Sequence, residues 1–193
     1  LHYVKKRCKE VGALLILDEI QTGIGRTGKL FGFENYNCIP DIIVYGKGLG
    51  GGVPIGAFTS SKDKMDVLHV NPILGHITTF GGNPLISAAA LATLKIILNT
   101  KIMKNAVSNE KYIRSKLVHK KIKEIRGVGL MLCLIMKDEE ITNKLVLKAK
   151  NNGLILFWLL IEKKAVRITP PLTITKKDLK IGCEIILQIL DKI

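Results

Sequence analysis

Cysteine is scarce and scattered in this chain. Cys8, Cys38, Cys133 and Cys183 stand 30, 95 and 50 residues apart, which excludes a CxxC pair and any zinc-ligand spacing. They read as free thiols of a reducing compartment, the cytoplasm. His2, His69, His76 and His119 form no HxxxH pair, and no metal is expected. Aromatic residues make up 5% of the chain, too few to interleave with basic residues as a stacking surface for nucleic acid. The apolar run at 154–161 is only eight residues long, short of the roughly 18 that a membrane span requires. Glycine and proline follow no fixed period, which excludes collagen-like and repeat architectures. The first residue is Leu1, and Lys5, Lys6, Arg7, Lys9 and Glu10 leave no room for an apolar signal region. The chain therefore reads as a piece of a longer polypeptide.

Acidic residues are also few, 16 against 30 basic ones, for a net charge of +14. Residues 1–98 carry 10 basic and 7 acidic side chains; residues 99–193 carry 20 and 9. Such a basic half raises the question of nucleic acid or an anionic membrane. Yet 25 of the 30 cations are lysines, and they do not cluster with aromatics or arginine. The excess is read as compositional bias at tolerant surface positions, with neither nucleic acid nor membrane as partner. A hydrophobic share of 47% over 193 residues is ample for a core and allows one or two domains.

Apolar runs at 13–20, 41–45 and 55–60 read as strands, the first buried on both faces as in a parallel sheet. Between and after them lie a glycine- and threonine-rich loop (21–29), a glycine cluster (46–52), a short helix (62–68) and a loop (71–83). Pro84 opens a helix of small residues through 97. This alternation indicates an α/β layer structure. The style changes near residue 99. A long connecting helix is expected at about 103–120 and one strand with a Gly-x-Gly break at 125–136. A helix over 139–151 stops before Gly153. Strands follow at 154–161 and 166–169. A last helix runs over 175–193, with Thr175 as N-cap and Asp178 at N3. The expected domains are residues 1–98 and a small α+β domain over 99–193.

Three features carry chemistry. Asp18 and Glu19 close the first strand, where open α/β sheets bind ligands; the alternative is a solvated strand end. Lys47 follows the second strand between glycines, where a ligand can approach and an amine can attack a carbonyl; the alternative is a surface lysine. Thr78, Thr79, Gly81 and Gly82 precede the Pro84 helix, where hydroxyls and free amides suit a phosphate; the alternative is an ordinary helix cap. All three together fit pyridoxal phosphate: a lysine for a Schiff base, an aspartate for the pyridinium nitrogen, and a helix start for the phosphate.

The stretches LDEIQTGIGRTG (17–28), PDIIVYGKGLGGGVPIGA (40–57), TTFGGNPL (78–85) and VRITPPLTIT (166–175) resemble the class III aminotransferases, most closely the acetylornithine/ornithine branch. The resemblance implies a fold-type I transferase: part of the cofactor-binding large domain, with a mostly parallel sheet, plus the small C-terminal domain. It implies that Asp18 pairs with the pyridine nitrogen, Gln21 lies beside the ring hydroxyl and Lys47 carries the cofactor. It further implies that Thr79, with Thr78 beside it, reaches the phosphate across a homodimer with shared active sites, and that Arg167 grips a substrate carboxylate. The implied reaction moves the terminal amino group of acetylornithine or ornithine to 2-oxoglutarate. Related ω-amines such as 4-aminobutyrate or succinyl-diaminopimelate, or a non-catalytic remnant, are the alternatives. Family members run to about twice this length. The glycine-rich phosphate loop, the ring-stacking aromatic and the glutamate partner of the arginine have no counterpart in the chain. By itself the chain is therefore expected to be inactive and prone to aggregate.

Overall fold

The structure, a computed structural model, describes residues 1–73 and 76–193; part of the expected 71–83 loop lies outside them. The chain divides into two compact units. The first comprises residues 1–25 and 29–100, the second residues 26–28 and 101–193.

The first unit opens with α1 (His2–Val11), ended by Gly12 in the left-handed region. Strand β1 (Ile16–Asp18) pairs in parallel with β2 (Ile42–Gly46), and β2 pairs antiparallel with β3 (Gly56–Ser60). Helices α2 (Lys62–Asp66) and α3 (Pro84–Asn99) follow. β1 is shorter than the expected 13–20, because Asp41 Oδ2 accepts from Leu15 N at one end and Asp18 Oδ1 turns the chain through Ile20 N at the other. Nor is it buried on both faces. Ile16, on the face it shares with Asp18, is 56% exposed.

In the second unit, α4 (Ile102–Lys116), β4 (Ile122–Val128) and β5 (Met131–Met136) precede α5 (Glu139–Asn151). Then come β6 (Phe157–Trp158), β7 (Ala165–Ile168) and α6 (Lys176–Asp191). The strands pair antiparallel in the order β4-β5-β7-β6. Leu132, Leu134, Val166 and Ile168 point to one side of this sheet. There they join Ile113, Leu145, Leu179, Ile186 and Leu190 in the apolar core.

Three expectations change here. The Gly-x-Gly stretch is a chain reversal, so 125–136 is a hairpin and not one strand. Gly127 lies at φ +112, and a Cβ on it would sit 2.0 Å from the Met131 carbonyl oxygen, so no other residue fits there. The long helix ends at Lys116 because Leu117, 2% exposed, turns into the core. Of residues 154–161, only Phe157 and Trp158 pair with β7, and Leu160 and Ile161 stand free in solvent. The cap expectations match: Thr175 Oγ1 accepts from Asp178 N, and Gly153, at φ +76, lies just beyond α5. Among the described residues no single helix is long and apolar enough to cross a membrane.

Cys183 lies in this core, and burial pushes its thiol up to about 11 from an ordinary value near 9. The folded state thus holds a proton that the unfolded chain releases. The associated stability is full below about pH 9 and is lost as pH rises through 11. The loss amounts to about 2–3 kcal/mol. Denaturant midpoints measured from about pH 8 to 11 should fall more steeply for the wild type than for Cys183→Ala.

Candidate active site

Parallel pairing of β1 with β2 sets Asp18 opposite Val44, and the main chain bonds once more beyond it, Glu19 N to Val44 O at 2.7 Å. Lys47 leaves the carboxyl end of β2 as the first residue of a 3-10 turn, Lys47–Gly50. An acid and an amine thus end two hydrogen-bonded parallel neighbours at the edge where such sheets take ligands.

The local backbone is held under strain. Lys47 has φ +40 and Ile24 has φ +54, a region that β-branched residues almost never enter. Each residue costs about 1–3 kcal/mol there. The two are neighbours, since a Cβ on Gly48 would touch Ile24 Cβ at 3.6 Å. Gly46 is required for space, because its Cβ would fall 2.8 Å from the Ile55 carbonyl oxygen. That glycine seats the turn against the entry to β3. Leu49 and Gly50 are buried beneath the turn while Lys47 is exposed. The Lys47 amine has no hydrogen bond or ion pair among the described residues.

Glu19, beside Asp18, does different work. Its buried carboxylate accepts from Gly32 N at 2.8 Å, Phe33 N at 2.7 Å and Thr22 Oγ1. It thereby closes the loop that carries Gln21, which is half-buried. The sequence alone did not separate these two adjacent acids. Glu19→Ala would strand one buried and one half-buried N–H donor, at about 1–3 kcal/mol for the buried one and less for the other. We expect a loss of about 2–4 kcal/mol, read as a lower melting temperature with faster exchange at the Gly32 and Phe33 amides.

The Thr78–Gly82 expectation needs correction in one part. Asn83 caps α3, its Oδ1 accepting from Leu85 N at 3.0 Å and Ile86 N at 3.3 Å. These helix amides are therefore not open to an anion. What remains for a phosphate is the hydroxyls of Thr78 and Thr79, both exposed. Thr78 O also accepts from Gly81 N at 3.1 Å.

Arg167 belongs to the second unit. In β7 it pairs with Cys133 of β5 and Phe157 of β6. This places the three on one sheet face, opposite to Val166 and Ile168. Its half-buried guanidinium has no partner among the described residues. It lines a cavity of about 300 Å³ with Ile155, Phe157, Pro170 and Ile174.

This donor set fits pyridoxal phosphate. The free amine of Lys47 can take the carbonyl carbon. The carboxylate of Asp18, which meets no cation among the described residues, can take a protonated ring nitrogen. Exposed hydroxyls can take phosphate oxygens.

Known proteins agree. The family model described as aminotransferase class-III matches residues 1–190. An acetylornithine aminotransferase of Caldanaerobacter subterraneus subsp. tengcongensis is 42% identical over 98% of this chain and 48% of its own length. A putrescine aminotransferase of Pectobacterium atrosepticum is 43% identical over 91% of this chain and 39% of its own. A solved ornithine aminotransferase from Plasmodium yoelii superposes with a TM-score of 0.87 at 35% identity, over 99% of this chain and 51% of that one. The chain spans about half the length of the curated relatives it matches. Its strand-end amine and acid, and the match along nearly its whole length, make it a member of the class III aminotransferases, enzymes that depend on pyridoxal phosphate.

Proposed function

We propose that the protein carrying this chain transfers the terminal amino group of acetylornithine or ornithine to 2-oxoglutarate, giving a semialdehyde and glutamate. The observation that carries this reading is the Asp18–Lys47 arrangement at the carboxyl ends of two paired parallel strands. The names of the similar proteins support the choice of donor; the putrescine enzyme among them marks a diamine as the competing donor.

When bound, pyridoxal phosphate supplies an electron sink for the carbon that carries the amine. Lys47 Nζ would hold the cofactor through its carbonyl carbon. Its amine would take the proton from that carbon and hold it for return, as base and then acid. Asp18 keeps a positive charge on the ring nitrogen by proximity of its carboxylate. Gln21 stands in the loop after Asp18, within the segment that would face the ring hydroxyl. Thr78 and Thr79 give hydroxyls to the phosphate, Thr79 across the interface of a homodimer whose sites are shared. Arg167 holds a substrate carboxylate by its planar fork.

The test is a donor panel on the full-length gene product: acetylornithine, ornithine, putrescine, 4-aminobutyrate and succinyl-diaminopimelate, each with 2-oxoglutarate. The reading expects glutamate from the first two at the highest kcat/KM. Preference for putrescine would replace the donor, and no glutamate from any amine would reject the activity.

A further inference from the structure

Arg26 meets no acid among the described residues. Its guanidinium is largely withdrawn from water, and burial lowers its pKa. Nη1 donates to two main-chain carbonyls, Leu130 O at 3.3 Å and Pro170 O at 2.6 Å. Burying such a cation is costly unless its hydrogen bonds do something.

The ladder between β5 and β7 shows what they do. Leu134 pairs with Val166 and Leu132 with Ile168, and Met136 N donates to Lys164 O at 2.8 Å. The even-numbered positions of β5 are therefore the hydrogen-bonded rungs. The next rung in this register would join Leu130 to Pro170. Proline has no N–H, so that rung cannot close. Arg26 takes its place. Its main-chain oxygen accepts from Leu130 N at 2.9 Å, and its side chain donates to both carbonyls. The turn is built for this contact: a Cβ on Gly129 would lie 2.6 Å from Arg26 O.

We propose that Arg26 is a positioning residue for substrate recognition: standing in for the missing rung, it fixes the end of β7 and with it the direction of Arg167. The proposal rests on the reading that Arg167 grips a carboxylate. The Nη1 bonds of Arg26 go to main-chain carbonyls, and in this proposal it acts through Arg167 alone. Without the rung, β7 frays from Pro170 backwards. The cost then falls on binding of carboxylates, whereas the chemistry at Lys47 is untouched. Lysine keeps the charge but ends in a compact ammonium, without the planar guanidinium whose Nη1 reaches both carbonyls.

The experiment uses the full-length gene product with cofactor bound, as wild type, Arg26→Lys and Arg26→Gln. KM and kcat for 2-oxoglutarate are measured beside the rate at which methoxyamine, which carries no carboxylate, consumes the bound cofactor. We expect KM for 2-oxoglutarate to rise about tenfold or more, since a misplacement near 1 Å can cost a hundredfold. The methoxyamine rate and the cofactor absorbance should stay at wild-type values. Adding Arg26→Lys to Arg167→Lys should cost nothing further, because residues that act through one another are not additive. An equal loss with both probes, or independent costs in the double variant, would overturn the proposal. A wild type inert toward every amine would overturn the aminotransferase reading itself, and this proposal with it; an active wild type whose Arg26 variants keep their KM would overturn this proposal alone.

Discussion

Lys47→Ala should abolish turnover in the full-length gene product, a loss of at least about 10³-fold, because one amine serves as both anchor and proton carrier. Borohydride reduction of the wild type should fix the cofactor on the peptide that contains Lys47; label on a different lysine would displace the assignment. The backbone gives an independent check. Lys47 sits at φ +40, where a residue with a Cβ is disfavoured by about 1–2 kcal/mol. Lys47→Gly should therefore be equally inactive and yet melt higher than Lys47→Ala. Such a gain would mark the strain as something kept for the amine's direction, at the expense of stability.

Asp18→Asn should keep most cofactor binding and lose about 10²–10³-fold in rate, the scale of removing one well-placed electrostatic contact from a transition state. The substitution isolates charge from shape. An asparagine oxygen can still accept from Ile20 N, the bond that now turns the chain at 2.9 Å. What disappears is the negative charge that keeps the ring nitrogen protonated. The readout is the single-turnover rate at saturating amine, with cofactor content measured in the same sample. A near wild-type rate would remove Asp18 from the chemistry.

Much of this site could be read from local signals. Asp18 and Lys47 each end an apolar run, and parallel pairing brings such ends together whatever the details of the turn between them. The caps at Thr175 and Gly153 are equally local. Some of what stayed hidden depended on contacts remote in sequence. Arg26 bonds to carbonyls 104 and 144 positions away, so nothing near it in sequence announces a role. Glu19 looks like Asp18 until the Gly32 and Phe33 amides fold onto it. The hairpin at Gly127–Leu130 was hidden because no Asn-Gly or Asp-Gly pair marks the turn. At Leu117 no glycine or proline stops the helix; a leucine drawn into the core does. Asn83 displaced the free-amide expectation with one side chain, a choice that the threonines before it obscured.

The three residues Arg26–Gly28 belong to the second unit although the first unit flanks them on both sides. For protein engineering, the second unit is therefore not a continuous stretch of gene. A fragment cut at residue 101 would lack the strip of main chain against which Gly129 closes, and Leu130 N would lose its acceptor. Loss of Gly28 would also uncover more of Val107, already 40% exposed, whose methyl group lies 2.5 Å from where a Cβ on Gly28 would stand. A workable excision or permutation has to carry those three residues along, grafted beside the β4–β5 turn, or give up the register of the strand that holds Arg167.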